Sequence, residues 1–186
     1  MLTADATFRH LAEGFPVGMR FHSAPVIRLA DAKPLHLGHV HRSDGAWRVY
    51  IFADQNDPTG EDSLARALCV FLNSDSSPIT RFTPVGAEPD SVIDVRAIFQ
   101  QDHRDLAVDR MPSVLLPRKG KFGLIDYEKM FCSDPNADDI FELRGVNRET
   151  GCMVVVRPDQ YVSHVLPLDQ HEALANFFAR ILIDAN

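Results

Sequence analysis

No segment of this 186-residue chain approaches the ~18 consecutive apolar residues that a membrane-spanning helix needs, so no helical span is expected. Basic residues are also short: 19 stand against 26 acidic ones, a formal net charge of -7. That balance argues against a nucleic-acid binder, which would carry a basic stripe. Cysteine is scarce. Cys69, Cys132 and Cys152 are an odd number without close spacing, which fits reduced thiols in the cytosol better than a disulfide framework. The opening MLTADATFRH has no basic-then-apolar leader pattern. Equally missing are a Gly-x-Ser-x-Gly elbow, a phosphate loop and a Gly-x-Gly-x-x-Gly dinucleotide turn. There is no internal repeat and no low-complexity tract. What remains is a cytoplasmic globular protein with no membrane or nucleic-acid partner. Its 45% apolar content is ordinary, and its length allows one domain that buries roughly 70% of the unfolded surface.

The most informative stretch is Cys152 to Leu168. Met153 to Val156 is an unbroken apolar run, as expected of a strand covered on both faces. Arg157-Pro158-Asp159-Gln160 then reads as a turn, with Pro158 presetting φ and Asp159 suiting the next position. Tyr161 to Leu166 returns as a second strand. Asp169 follows as a helix N-cap with Glu172 three residues on, and Leu174, Phe177, Phe178, Ile181 and Leu182 mark the buried stripe.

Upstream, residues 1–24 form a lead-in, with a helical turn at Thr7 to Leu11 broken by Gly14, Pro16 and Gly18. Residues 25–186 form the domain. Pro25 to Leu29 is expected as an edge strand, and Leu35 to His41 alternates loosely. After the Ser43-Asp44-Gly45 turn, Trp47 to Ala53 is apolar on both faces, as an interior strand would be. Glu61 to Leu72 predicts a helix, buried through Leu64, Leu68, Phe71 and Leu72, with Glu61 and Asp62 in its first turn. Ser91 to Phe99 is a third strand. Residues 100–123 are an irregular connection, with a short strand at Val114 to Leu116. Tyr127 to Phe131 and Asp138 to Leu143 are expected as short helices. The order implies an α/β, thioredoxin-like fold: a mixed central sheet flanked by helices, with added N-terminal strands.

Such a layout would place a Cys-x-x-Cys after the Trp47 strand. That position reads Asp54-Gln55-Asn56-Asp57-Pro58-Thr59-Gly60. Cys69, Cys132 and Cys152 are expected to be buried packing residues. His36, His39 and His41 cluster, and on a strand His39 and His41 would share a face, yet no cysteine or carboxylate pair completes a metal ligand set. Asp94 with Arg96 reads as a salt-bridged face, and His164, near Tyr161 and Asp159, as a partly buried histidine. Arg110, Arg118, Lys119 and Lys121 make the 100–123 connection basic.

PVIRLADAKPLHLGH (25–39), SDGAWRVYIFAD (43–54), FELRGVNRETG (141–151) and above all VVVRPDQYVSHVLPLD (154–169) resemble the C-terminal domain of the phenol 2-monooxygenase family. Its members are flavin-dependent aromatic hydroxylases, 3-hydroxybenzoate 4-monooxygenase among them. The resemblance implies a thioredoxin-like domain without redox cysteines. That domain follows the FAD and substrate domains of the parent enzyme and is associated with homodimer formation. It also implies FAD and NAD(P)H for the parent and none bound by this chain, whose sequence lacks the family's flavin motifs. Arg157 to Tyr161 match the family motif without a catalytic role. No catalytic, cofactor-binding or metal-ligating residue is therefore assigned. The expected function is a non-catalytic accessory and dimerisation domain. Two alternatives stand beside it: a thiol-dependent enzyme, and a module whose 100–123 connection helps close the hydroxylase site.

Overall fold

A computed structural model of the chain describes residues 7–185, so residues 1–6 of the expected lead-in lie outside it. The chain begins with β1 (Pro25–Arg28), β2 (Lys33–His36), β3 (Trp47–Phe52), α1 (Leu64–Leu72), α2 (Pro78–Phe82) and β4 (Ile93–Phe99). It continues through β5 (Arg118–Lys119), β6 (Leu124–Ile125), β7 (Met130–Ser133), α3 (Ile140–Leu143), β8 (Cys152–Val156), β9 (Val162–Leu166) and α4 (His171–Ala179). Among the described residues, seven strands form one sheet in the order β2-β1-β7-β4-β3-β8-β9, and β5 pairs with β6 in a separate hairpin.

β3 lies at the heart of this sheet. It runs parallel to β4 on one side and antiparallel to β8 on the other. One face sets Val49, Ile51, Val95, Ala97, Met153 and Val155 against Leu68 and Leu72 of α1 and Leu174 and Phe178 of α4. Trp47 meets Phe177 and Phe178 edge-on, each ring pair 5.8 Å apart. The other face carries Tyr50, Phe52, Ile98, Phe131 and Val154. It is covered by the segment before β1 and by α3. Phe21 stacks on Tyr50 at 4.4 Å and on Phe15 at 4.8 Å, and Phe141 of α3 stands edge-on to Phe52 at 5.6 Å. Each such buried side chain contributes roughly 1.5–3 kcal/mol, so the irregular segment before β1 and the short α3 together stabilise this face of the sheet.

The hairpin expected at Arg157–Gln160 is present. The Gln160 N–H donates to the Arg157 carbonyl at 2.9 Å, and Gln160 itself sits at φ 70. The α4 stripe lies on the sheet, but the helix starts one residue later than expected. Gln170 is its N-cap without a side-chain bond, and Asp169 lies outside. Likewise α1 begins at Leu64 behind a Ser63 cap, so Glu61 and Asp62 stand outside its first turn.

Several expectations are corrected. Tyr127 to Phe131 is not a helix: Met130, Phe131 and Cys132 are buried in β7, between β1 and β4. Ladder pairing on both sides outweighs local helix preference there. β1 is consequently an interior strand, and β2 takes the edge. Leu35 to His41 splits into the end of β2 and a 3₁₀ turn, Leu37–Val40. The turn is fixed where Leu37 N–H meets the Ala24 carbonyl at 2.9 Å and Gly38 N–H meets Ser23 Oγ at 2.8 Å. Val114 to Leu116 falls in a 3₁₀ turn, Ser113–Leu115, started by Pro112; the strand of that region is β5. α2 was not expected, although Ser77 capping Pro78 at the first turn is a sequence signal for it.

One glycine is required by packing. Gly151 enters β8 at φ +61, and a Cβ there would lie 2.3 Å from the Phe52 carbonyl oxygen and 2.8 Å from Asp54 N. Gly151→Ala is expected to lower stability by about 3 kcal/mol, read from the urea midpoint. An unchanged midpoint would contradict this close approach.

Candidate functional site

The position where a dithiol would sit follows β3. Asp54 there is fully buried. Its Oδ1 accepts from the Ala65 N–H at 3.0 Å and from the Ser63 hydroxyl at 3.3 Å, while Ser63 Oγ accepts from the Arg66 N–H at 3.1 Å. A carboxylate and a serine thus satisfy the N-terminus of α1. The adjoining loop is tethered as well. Gln100 Nε2 donates to the Ala53 carbonyl at 2.8 Å, and Gln101 Nε2 to those of Gln55 and Asn56 at 3.0 and 2.9 Å. Cys69 lies inside α1, Cys132 in β7 and Cys152 in β8, all buried. Burial pushes the Cys69 thiol up to about 12; burial, with the Asp102 charge, does the same to Cys132. Burial also raises Cys152. Thiolates are therefore scarce near neutral pH.

The opposite end of the two parallel strands holds the densest charge. Arg48 of β3 and Asp94 of β4 are register partners. Asp94 meets three cations: Arg48 Nε at 3.1 Å, Arg96 Nε at 2.9 Å and Lys129 Nζ at 2.7 Å. Arg48 also forks onto Asp44 at 2.6 and 2.8 Å. Lys129 reaches Asp90, and Lys119 joins Asp90 at 2.8 Å and Asp126 at 3.5 Å. Desolvation opposes the charged form of Asp90, yet hydrogen bonds from Lys119 and Lys129 hold it below its ordinary value. Asp126 is likewise lowered, by the Glu128 N–H and both lysines, against desolvation. Four cations (Arg48, Arg96, Lys119, Lys129) thus face four carboxylates (Asp44, Asp90, Asp94, Asp126). The cluster borders a cavity of about 730 Å³ also lined by Arg28, His36 and His39. Its charges are paired with one another, and the cluster clamps the strand ends to the β5–β6 hairpin.

Asp94 with Arg96 is therefore the expected salt-bridged face, enlarged by partners that sequence reasoning missed. The signal for them was charge embedded in otherwise apolar strands, such as Arg48. The histidine cluster is divided. The His36 and His39 rings are 5.6 Å apart beside the cavity, whereas His41 turns inward, its Nδ1 3.5 Å from Tyr50 Oη. Among the described residues no group of three or more His, Cys, Asp or Glu could hold a metal. His164 packs 5.4 Å from the Phe177 ring, Tyr161 is exposed, and Asp159 pairs with Arg157 at 2.5 Å. Arg110 is exposed, Arg118 Nη1 donates to the Gly123 carbonyl at 3.1 Å, and Lys121 lies 6.0 Å from the Phe122 ring.

Removing the shared anion leaves Arg96 without its carboxylate and Arg48 and Lys129 each with one partner fewer. Asp94→Ala is expected to cost about 3–5 kcal/mol in urea unfolding. His41 tests the same end by pH. Burial, then the Arg48 and Arg96 charges, lower it to about 4 from 6.5, against Asp44 and Asp94. The unfolded chain then binds more protons between those values. Stability should be full above about pH 6.5 and fall as pH drops toward about 4. Urea midpoints across that window should show the fall, and His41→Gln should flatten it.

The whole chain, residues 1–186, matches the family described as phenol hydroxylase, C-terminal dimerisation domain. It is 56% identical over 181 residues to a 3-hydroxybenzoate 4-monooxygenase of Comamonas testosteroni, covering 96% of this chain and 28% of that protein. To an FAD-dependent monooxygenase of Aspergillus terreus it is 34% identical over 176 residues, covering 92% and 28%. The chain thus spans little more than a quarter of the length of these curated relatives. Among solved structures, a thiol:disulfide interchange protein from Bacteroides sp. superposes with a TM-score of 0.57 at 9% identity, covering 91% of each chain. A domain of a possible thiol-disulfide isomerase from Cytophaga hutchinsonii gives 0.53 at 11%, covering 89% and 92%. The fold is thioredoxin-like, and the chain belongs to the phenol hydroxylase C-terminal dimerisation domain family.

Proposed function

We propose that this chain is a non-catalytic accessory and dimerisation domain of an FAD- and NAD(P)H-dependent aromatic hydroxylase that works in the cytoplasm. Residues 25–186 carry the sheet and its helices, and the 1–24 lead-in contributes Phe15 and Phe21 to their core. Its partners are a second copy of itself and the FAD and substrate domains of the parent. Family membership supports this reading, and so does the length of the relatives, most of which lies outside the matched region.

The observation that carries it is Asp54. A thioredoxin-like scaffold does redox chemistry by placing a thiol at a helix N-terminus, where the dipole favours the thiolate. Here a buried carboxylate bonds to that terminus, and each cysteine lies elsewhere, buried with a raised pKa. A flavin fits no better. A pyrophosphate needs free N–H groups on a glycine-rich strand-to-helix turn. The turn from β3 to α1 instead contains Asp54 and Ser63, bonded to the helix's own N–H groups. In the parent enzyme the bound flavin supplies the oxidative chemistry; these residues contribute a rigid support.

Two measurements test the reading. Sedimentation equilibrium should give twice the 20.8 kDa chain mass, and a strict monomer at high concentration counts against self-association. Titration of the native protein with a thiol reagent near neutral pH should find Cys69, Cys132 and Cys152 slow, and all of them reactive after denaturation. A fast native thiol would favour the thiol-dependent alternative.

A further inference from the structure

Large apolar side chains left in water call for an explanation when they cluster. Three do so within six residues: Phe122 is 83% exposed, Leu124 70% and Tyr127 45%. Phe122 lies in the connection between β5 and β6, Leu124 opens β6, and Tyr127 follows the hairpin's base. The hairpin strands share only two residue pairs, Arg118↔Ile125 and Lys119↔Leu124. Its base is nevertheless pinned. Lys119 binds Asp90 and Asp126 at 2.8 and 3.5 Å, the Gly120 N–H donates to Glu88 Oε1 at 2.9 Å, and the Asp126 N–H to the Pro117 carbonyl at 2.9 Å. An apolar tip on so firm a mount loses little conformational freedom when covered.

We propose that this tip, Phe122 and Leu124 flanked by Tyr127, seats against a second copy of the chain. The proposal rests on the dimerisation reading above and names its surface. Two observations select that occupant. The sheet edges resist pairing: β2 presents exposed Lys33 and Pro34, and Pro34 has no N–H to donate. On β9, Val162 is already bonded outward, its carbonyl to the Gly18 N–H and its N–H to the Met19 carbonyl, both at 2.8 Å. Strand-to-strand association is thereby disfavoured. Charge is the second observation. Lys119 is already paired with Asp90 and Asp126, but the rest of residues 117–123 carries Arg118 and Lys121 and no acid, while the chain as a whole carries -7. A basic tip is drawn to the acidic body of a second copy and repelled by that copy's own tip. A two-fold pair satisfies both demands, each hairpin lying on its partner's body, and salt weakens the pair.

Sedimentation equilibrium of the full chain at low and high salt tests this, comparing wild type with a Phe122→Ser, Leu124→Ser double variant. The double variant should raise the dimer dissociation constant by about a hundredfold. Both side chains are largely in water, so its circular dichroism and urea midpoint should match wild type. Val85→Ser, at a position 90% exposed and outside the hairpin, should leave association unchanged. A double variant that dimerises like wild type overturns the inference and leaves the dimerisation reading standing, and so does an equal loss in Val85→Ser. A wild-type chain that stays monomeric overturns both. Hairpin-dependent binding to the separately produced remainder of the Comamonas testosteroni relative would then assign the tip to that occupant.

Discussion

The structure depends on β3 being paired along both edges and buried on both faces. From Arg48 to Phe52 no side chain of this strand reaches water to any useful extent. Polar groups at its ends must therefore find partners inside the protein, because an unpartnered buried polar group costs about 1–3 kcal/mol or more. The two ends meet this demand differently. Asp54 closes the carboxyl end against the N-terminus of α1, and Arg48 closes the amino end against Asp44 and Asp94. Each solution consumes groups that could otherwise have served chemistry.

The carboxyl end of β3 is where a dithiol of a thioredoxin-like redox protein would sit. A helix N-terminus stabilises whatever anion lies beside it. A thiolate placed there becomes reactive; a carboxylate placed there becomes a cap. Asp54 is held by Ala65 and Ser63, and Gly151 packs so closely behind it that no side chain fits. The same geometry that favours catalysis in one protein fastens a strand to a helix in this one.

The amino end shows how a protein buries many charges at once. Asp94 is surrounded by three cations, and the surrounding carboxylates bring the group to balance. Buried ion pairs of this kind contribute geometry more than net stability. Here the geometry joins β3, β4 and the residue before β7 to the root of the β5–β6 hairpin, through Lys129 and Lys119. An internal cluster thus sets the position of an external apolar tip.

Much of this was legible in the sequence. Apolar runs at Trp47 to Ala53 and Met153 to Val156 specify buried strands, because an alternating pattern would leave one face wet. Pro158 and Asp159 specify the turn between β8 and β9, since both act through their own backbone. The α4 stripe announces its buried face by helical spacing alone. The empty dithiol position was equally plain from residue types. What tertiary structure decided are the features that depend on distant neighbours. β7 reads locally as a helix and becomes a strand because β1 and β4 flank it. Phe15 and Phe21 lie in a segment broken by glycine and proline, and they become core because Tyr50 and Phe52 need a cover. The charge cluster joins Asp44, Arg48, Asp90, Asp94, Arg96, Lys119, Asp126 and Lys129, which no spacing rule links. Sequence by itself determined the elements whose causes are local, namely periodicity, turn chemistry and residue type. Tertiary structure decided the partners, because pairing and desolvation are settled only between segments far apart in the chain.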